Sequence, residues 1–217
     1  LAGIVGSINM GNTLGGTNWP GGSLDPETHI VYVQACNACI NATSVAPVPP
    51  EEGDATYTGG RVDTSTGDDG PRGGLAVQGL PIVKPPYGVL SAIDLDTGEL
   101  LWQVPHGDTP DDVRDDPALE GIDVPKTGQA RSVGLVVTKT LVILGDPEVT
   151  SPPGREPGAM LRAYDKETGE EVGAVWLPAP QSGSPMTYMV DGKQYIVVAV
   201  SGRRYTGEYI AFALPDA

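Results

Sequence analysis

Apolar residues along this chain come in short runs separated by polar punctuation. Ile30–Val33, Val89–Ile93, Leu100–Val104, Gly134–Thr138, Leu141–Leu144, Met160–Tyr164, Val172–Leu177, Met186–Val190, Tyr195–Val200 and Tyr209–Leu214 are each about four to six residues long, rich in Val, Ile, Leu and Tyr, and bounded by Gly, Pro, Asp or Thr. No stretch carries a sustained 3.6-residue period. The pattern predicts an all-β protein of short antiparallel strands. Lys139-Thr140 and Asp191-Gly192 fall between paired runs as tight hairpin turns. Asp-Gly is the more specific of the two, because such turns need positive φ.

One local sentence is written twice. Ala92-Ile93-Asp94-Leu95-Asp96-Thr97-Gly98-Glu99 leads to Trp102, and Ala163-Tyr164-Asp165-Lys166-Glu167-Thr168-Gly169-Glu170 repeats it. In such a turn Gly takes the positive φ while Asp and Thr cap backbone amides. Trp102 projects from the following strand and can lie between neighbouring sheets, its indole N–H on a backbone carbonyl. The second copy has Gly173 at that place and Trp176 three residues on. Asp25-Pro26-Glu27-Thr28 and Asp191-Gly192-Lys193 read as weaker copies. A repeated hairpin implies repeated blades, hence a β-propeller of four-stranded antiparallel blades.

A blade takes roughly 40–50 residues, so a chain of this length holds about three to four blades. Closed propellers need at least four, and an open sheet edge is a liability. The 217 residues are therefore expected to be the C-terminal part of a longer polypeptide that supplies the remaining blades. Two stretches, 46–86 and 105–128, are rich in Pro, Gly and acidic residues and read as long functional loops, and Pro147–Pro157 interrupts a hairpin.

Charge narrows the partners. The net charge of −15 argues against nucleic acid, whose phosphates require clustered Lys and Arg. No apolar run approaches the roughly 20 residues of a membrane helix. The chain starts at Leu1 without a basic-then-apolar leader, so any export signal is expected to lie outside it. Cys36 and Cys39 are separated by two residues. A zinc site would need more ligands than His29 and His106 supply, and a strand precedes Cys36 where a redox motif wants a helix to follow. A structural pair, disulfide or reduced, is the favoured reading. Asn41-Ala42-Thr43 matches a glycosylation sequon, a weak pattern. Asp94, Asp96 and Asp165 are read as turn caps rather than acids of a site, and His29 and His106 as surface residues.

Three segments together resemble one family. Gly15-Gly16-Thr17-Asn18-Trp19-Pro20-Gly21-Gly22 is similar to the Gly-Gly-x-Asn-Trp segment of quinoprotein dehydrogenases, which use pyrroloquinoline quinone (PQQ). Pro85–Asp94 leading to Trp102 and Pro105 resembles their tryptophan-docking hairpin. Ser184–Tyr188, Asp191–Val198 and Ala211–Pro215 resemble their final blade. The glucose-dehydrogenase-like branch is the most similar.

The resemblance implies an eight-bladed propeller with PQQ near its axis, usually beside Ca²⁺, and hydride transfer to the quinone C5 from a sugar or alcohol with a carboxylate as base. It implies a quinone or cytochrome electron acceptor and a periplasmic setting, with membrane association through an upstream segment left open. It aligns Asn18 with the amide that reaches the cofactor; the other reading of Asn18 is a turn residue. Trp19 is read as packing at the pocket floor in preference to direct contact. Gly202 aligns with the Gly-rich corner near the cofactor, and Arg203 either meets a PQQ carboxylate or faces solvent. Gly158 stands where some glucose-oxidising members have Asp, which puts glucose specificity in doubt. The catalytic base and the Ca²⁺ ligands are expected outside this segment. The competing class is a non-catalytic propeller scaffold of the outer-membrane assembly type, which needs no axial amide.

Overall fold

The structure is a computed structural model that describes residues 7–11, 15–54, 57–61, 75–202 and 204–213. Among these residues two complete blades and most of a third stand in series. The first blade pairs β2 (Gly22–Asp25), β3 (Ile30–Cys36), β8 (Gly88–Asp94) and β9 (Leu100–Pro105) in that order. The second pairs β10 (Val136–Val137), β11 (Leu141–Gly145), β12 (Ala159–Asp165) and β13 (Glu171–Leu177). The third has β14 (Met186–Val190), β15 (Lys193–Gly202) and β16 (Tyr205–Ala213). All these pairings are antiparallel. This is the all-β, partial-propeller architecture that the strand pattern predicts.

The interval 46–86 differs from its reading as strand-poor loop. It receives the end of β4 (Ile40–Pro47) and contains β5 (Tyr57–Arg61), which together with β1 (Ser7–Met10) form a second sheet in the order β1-β4-β5. A two-stranded ribbon of β6 (Ala76–Val77) and β7 (Leu80–Pro81) follows. The Gly and Pro content masked β5, whose Thr58-Gly59-Gly60 lies in register with Val45 and its neighbours. The interval 105–128 holds a single helical turn, Asp111–Arg114, and a 3₁₀ turn, Pro117–Leu119.

Alternation along the strands explains the packing. Tyr32, Leu90 and Ala92 of the first blade meet Leu135, Val142, Leu144 and Tyr164 of the second in one core cluster. Ile143, Leu161 and Leu177 meet Val198 and Val200 of the third in another. Each fully buried Leu or Val contributes roughly 1.5–3 kcal/mol over leaving it in water. The first strands of adjacent blades converge, with Ser23 Oγ donating to Leu135 O at 2.8 Å just before β10. β2 and β10 are thus the inner strands.

The duplicated hairpins behave as read. Asp94 Oδ1 accepts from Asp96 N and Thr97 N, and Asp165 Oδ1 from Glu167 N and Thr168 N. Gly98 and Gly169 take φ of 76° and 75°. Both connect the third strand of a blade to the fourth. The two weaker copies do not: Asp25–His29 joins β2 to β3 and Asp191-Gly192 joins β14 to β15, both first-to-second connections. Short polar turns of similar composition occur at both places, which is why they looked alike.

Trp102 locks the first blade to the second. Its Nε1 donates to Lys166 O at 3.2 Å. A Cβ on Gly169 would come within 2.6 Å of the indole Cε3, so only glycine fits beneath the ring. Trp176 instead lies against Gly158 of its own sheet, where an added Cβ would sit 2.9 Å from Cε2. No side chain fits at position 158 while that indole is there.

Candidate active-site rim

The hairpin connections put the two ends of the blades to different uses. One end carries the tight turns 26–29, 95–99, 138–140, 166–170 and 191–192. The opposite end carries the long connections 37–87, 106–135, 146–158 and 178–185. Cross-links show that these connections share one rim. Gln181 N donates to Asp146 O at 3.1 Å, Ser182 N to Ala199 O at 2.9 Å and Ser201 N to Pro180 O at 3.0 Å.

The residues singled out from sequence fall on this rim. Asn18 precedes β2 by one turn, its carbonyl accepting from Gly21 N at 3.1 Å. It holds φ at 58°, a left-handed conformation that Asn tolerates better than most residues. Its side chain is exposed and makes no hydrogen bond among the described residues. Trp19, read as packing, is instead 96% exposed. Among the described residues its ring projects from the turn and joins neither core cluster. Gly202 ends β15, pairs with Tyr205 and has Pro180 Cδ 3.4 Å from where a Cβ would stand. Arg203 lies outside the described residues. No hydrogen bond joins Asn18 to Gly202; they occupy the first and third blades at the same end.

Between them runs a segment that sequence reading passed over. Residues 131–134 lead into β10 and are held by a buried glutamine from each neighbouring blade. Gln34 Nε2 donates to Arg131 O at 2.8 Å and its Oε1 accepts from Val133 N at 3.0 Å. Gln181 Nε2 donates to Gly134 O at 2.6 Å, and its Oε1 accepts from Gly145 N. The clamp leaves the Arg131 side chain 61% exposed at the rim, its Nε 3.2 Å from Oε1 of the buried Glu148.

Behind the rim His106 and Arg162 are buried and bonded to neighbouring groups, whereas the buried amide of Gln129 has no hydrogen-bond partner among the described residues. His106, read as a surface residue, is fully buried. Its Nε2 lies 3.1 Å from Gly145 O and its Nδ1 3.0 Å from Tyr164 Oη. A carbonyl can only accept, so Nε2 carries the proton and Nδ1 accepts from the tyrosine. Burial pushes the imidazole from 6.5 down to about 4, against the opposing pull of Asp146. Its place in a Pro-Gly loop hid this, because the partners lie 39 and 58 residues on. Arg162 is held by Asp146 at 2.6 and 2.9 Å, Asp108 at 2.7 Å and Glu171 at 2.9 Å. Burial opposes its charge, but these three carboxylates more than compensate and hold its pKa above the ordinary value. Asp94 and Asp165 cap their turns, as read; Asp96, read as a cap, instead places its carboxylate 3.1 Å from Nδ1 of the exposed His29.

The rim suits an anionic, oxygen-rich ligand. It presents at Asn18 an exposed amide with no side-chain bond among the described residues, able to donate and accept, and at Arg131 a largely exposed guanidinium whose Nε is paired with Glu148. PQQ, an ortho-quinone with three carboxylates, matches that donor set. No group of three His, Cys, Asp or Glu placed to hold a metal ion occurs among the described residues.

Residues 3–196 match the family described as glucose/ethanol/alcohol dehydrogenase, PQQ β-propeller domain. The chain belongs to this family. Over 97% of its length it is 32% identical to a probable quinate dehydrogenase (quinone) of Xanthomonas campestris pv. juglandis, of which it covers 27%. It is 34% identical to the quinoprotein glucose dehydrogenase of Escherichia coli K12 over 65% of the chain and 17% of that relative. Among solved structures a quinohemoprotein alcohol dehydrogenase of Pseudomonas putida HK5 superposes with a TM-score of 0.54 at 17% identity, over 95% of this chain and 25% of that one. That likeness shows the propeller fold. The chain spans about a quarter of the length of the quinate dehydrogenase it matches. PQQ is thus the cofactor of the family to which this quinoprotein segment belongs.

Proposed function

We propose that this segment is the C-terminal sector of a PQQ-dependent dehydrogenase that oxidises the CH–OH group of a sugar or alcohol. Asn18 carries the reading. Its exposed amide stands at the rim, at φ 58° within Gly-Gly-x-Asn-Trp, with no side-chain hydrogen bond among the described residues, and is open to a ligand. Asn18 would bond a quinone or carboxylate oxygen of PQQ, with Gly202 allowing close approach, Trp19 beside the ligand and Arg203 or Arg131 facing its carboxylates. PQQ, when bound, supplies the hydride acceptor. The segment's own residues bind and orient it.

The apolar outer faces support the wider reading. Met186, Tyr188, Val190 and Tyr209 are exposed on one face of the third blade, the face turned away from its core cluster. Further blades of a longer polypeptide would cover them, and those blades would carry the catalytic carboxylate and the Ca²⁺ ligands. A quinone or cytochrome would take the electrons, and a periplasmic or membrane-associated location suits that exchange.

The test uses the full-length polypeptide. PQQ is titrated into the apoprotein with Ca²⁺ and followed by tryptophan fluorescence, and dye reduction is then assayed over a panel of sugars, cyclic hydroxy acids and alcohols. Saturable uptake with turnover supports the reading. No uptake overturns it in favour of a scaffold.

A further inference from the structure

Cys36 and Cys39 form a disulfide, with Cα atoms 5.5 Å apart. Cys36 is buried at the rim end of β3, and Cys39 directly precedes β4. The bridge therefore closes the turn by which the chain leaves the first blade for its inserted sheet. Main-chain bonds from this turn reach both sides of the segment that leads to Asn18. Cys36 N donates to Gly16 O at 2.7 Å, and Cys39 O accepts from Gly11 N at 2.7 Å. Asn37 N and Ala38 N both donate to Tyr87 O, at 2.7 and 3.1 Å, and Asn37 Nδ2 donates to Pro86 O at 3.2 Å. Cys39 Sγ lies 3.6 Å from Ala130 O, next to Arg131. The bridged sulfur has no proton, so this is a packing contact.

The four-residue turn thus joins Gly11 and Gly16 to the start of β8 and the entry to β10. Asn18 is two residues from Gly16, with no side-chain bond among the described residues to fix it. We propose that the Cys36–Cys39 disulfide is a positioning element for PQQ: it holds the carbonyl of Gly16 and the amide of Gly11 in place, and so sets Asn18 before the cofactor arrives. This rests on the Asn18 reading above. Fixing a loop in its bound conformation strengthens binding by removing the ordering cost.

The experiment is a double-mutant cycle on PQQ affinity in the full-length polypeptide, read by fluorescence titration of the apoprotein, with thermal midpoints measured alongside. The variants are Asn18→Ala, Cys36→Ser with Cys39→Ser, and all three together. The inference expects the cysteine pair to weaken PQQ binding about tenfold. It also expects little further loss from the triple variant relative to Asn18→Ala, because both changes remove one interaction. A lower midpoint with unchanged affinity shows a merely structural bridge and overturns it. So does full additivity, which would place the effect away from Asn18. If Asn18→Ala leaves affinity unchanged, the Asn18 reading itself fails, and this inference with it. Should the serine pair not fold, Cys39→Ser alone, which opens the bridge and leaves the buried Cys36 thiol in place, is titrated by the same criteria.

Discussion

The indole N–H of Trp102 donates to the main-chain carbonyl of Lys166 at 3.2 Å, and the hydroxyl of Tyr32 donates to the same carbonyl at 3.1 Å. Two aromatic side chains of one blade therefore read a single oxygen of the next. The Lys166 side chain returns to the first blade and meets Asp25 at 2.6 Å. Substituting Trp102 by Ala removes the bond and the ring above Gly169, and is expected to cost about 3–5 kcal/mol. Gly169→Ala is expected to be nearly as damaging, since it adds positive-φ strain at 75° to the clash with the ring. Denaturant unfolding of the full-length polypeptide measures both.

Asp25 links acid stability to that joint. The Lys166 hydrogen bond, helped by Glu27 N and Thr28 Oγ1, lowers its carboxyl from 3.8 to about 2. The stabilisation is fully present above the ordinary carboxylate value and is lost as pH falls through about 2. Asp25→Asn is expected to lower stability at neutral pH and to remove that part of the acid dependence. Thermal midpoints followed between pH 5 and 2 would show the two curves converging at the acid end.

His106 acts in a higher window. Its folded value of about 4 lies below the ordinary 6.5, so the unfolded chain binds the proton more readily. Stability is expected to fall as pH drops from about 6.5 to about 4, and to level off below that. His106→Gln, which keeps a polar group without the titration, is expected to flatten this limb of the pH–stability profile while lowering its plateau.

Arg162 supplies the positive charge for three carboxylates. Arg162→Met would leave the fully buried Asp146 without its partner, at a cost of about 3–5 kcal/mol. Arg162→Lys is expected to recover only part of this, since one ammonium cannot span Asp146, Asp108 and Glu171 as the guanidinium fork does. Chemical denaturation of the three proteins checks the order.

What the sequence made legible is what is local. The Asp94 and Asp165 caps, the positive φ at Gly98 and Gly169, the Asp191-Gly192 hairpin and the interblade role of Trp102 all follow from residues within one hairpin. The Gly-Gly-x-Asn-Trp segment was likewise visible as a continuous string. The buried groups were not. His106 finds Tyr164, and Gln34 finds Val133, at separations of 58 and 99 residues. No periodicity marks such pairs, and a His in a Pro-Gly loop or a Gln in a strand looks like a surface residue until the neighbouring blade is placed. β5 escaped because its pairing comes from β4, while its own Thr58-Gly59-Gly60 resembles a turn.

The outer strand of the third blade has a consequence for anyone who produces these 217 residues alone. Tyr205–Ala213 bonds to β15 on one side and, among the described residues, to no strand on the other. Its free amides and carbonyls form a template nine residues long, ready to zip onto whatever extended peptide arrives first. An isolated preparation is expected to sediment as self-associated species at high concentration. A single lysine placed at Ala211, on the face turned away from the second blade, should disperse them.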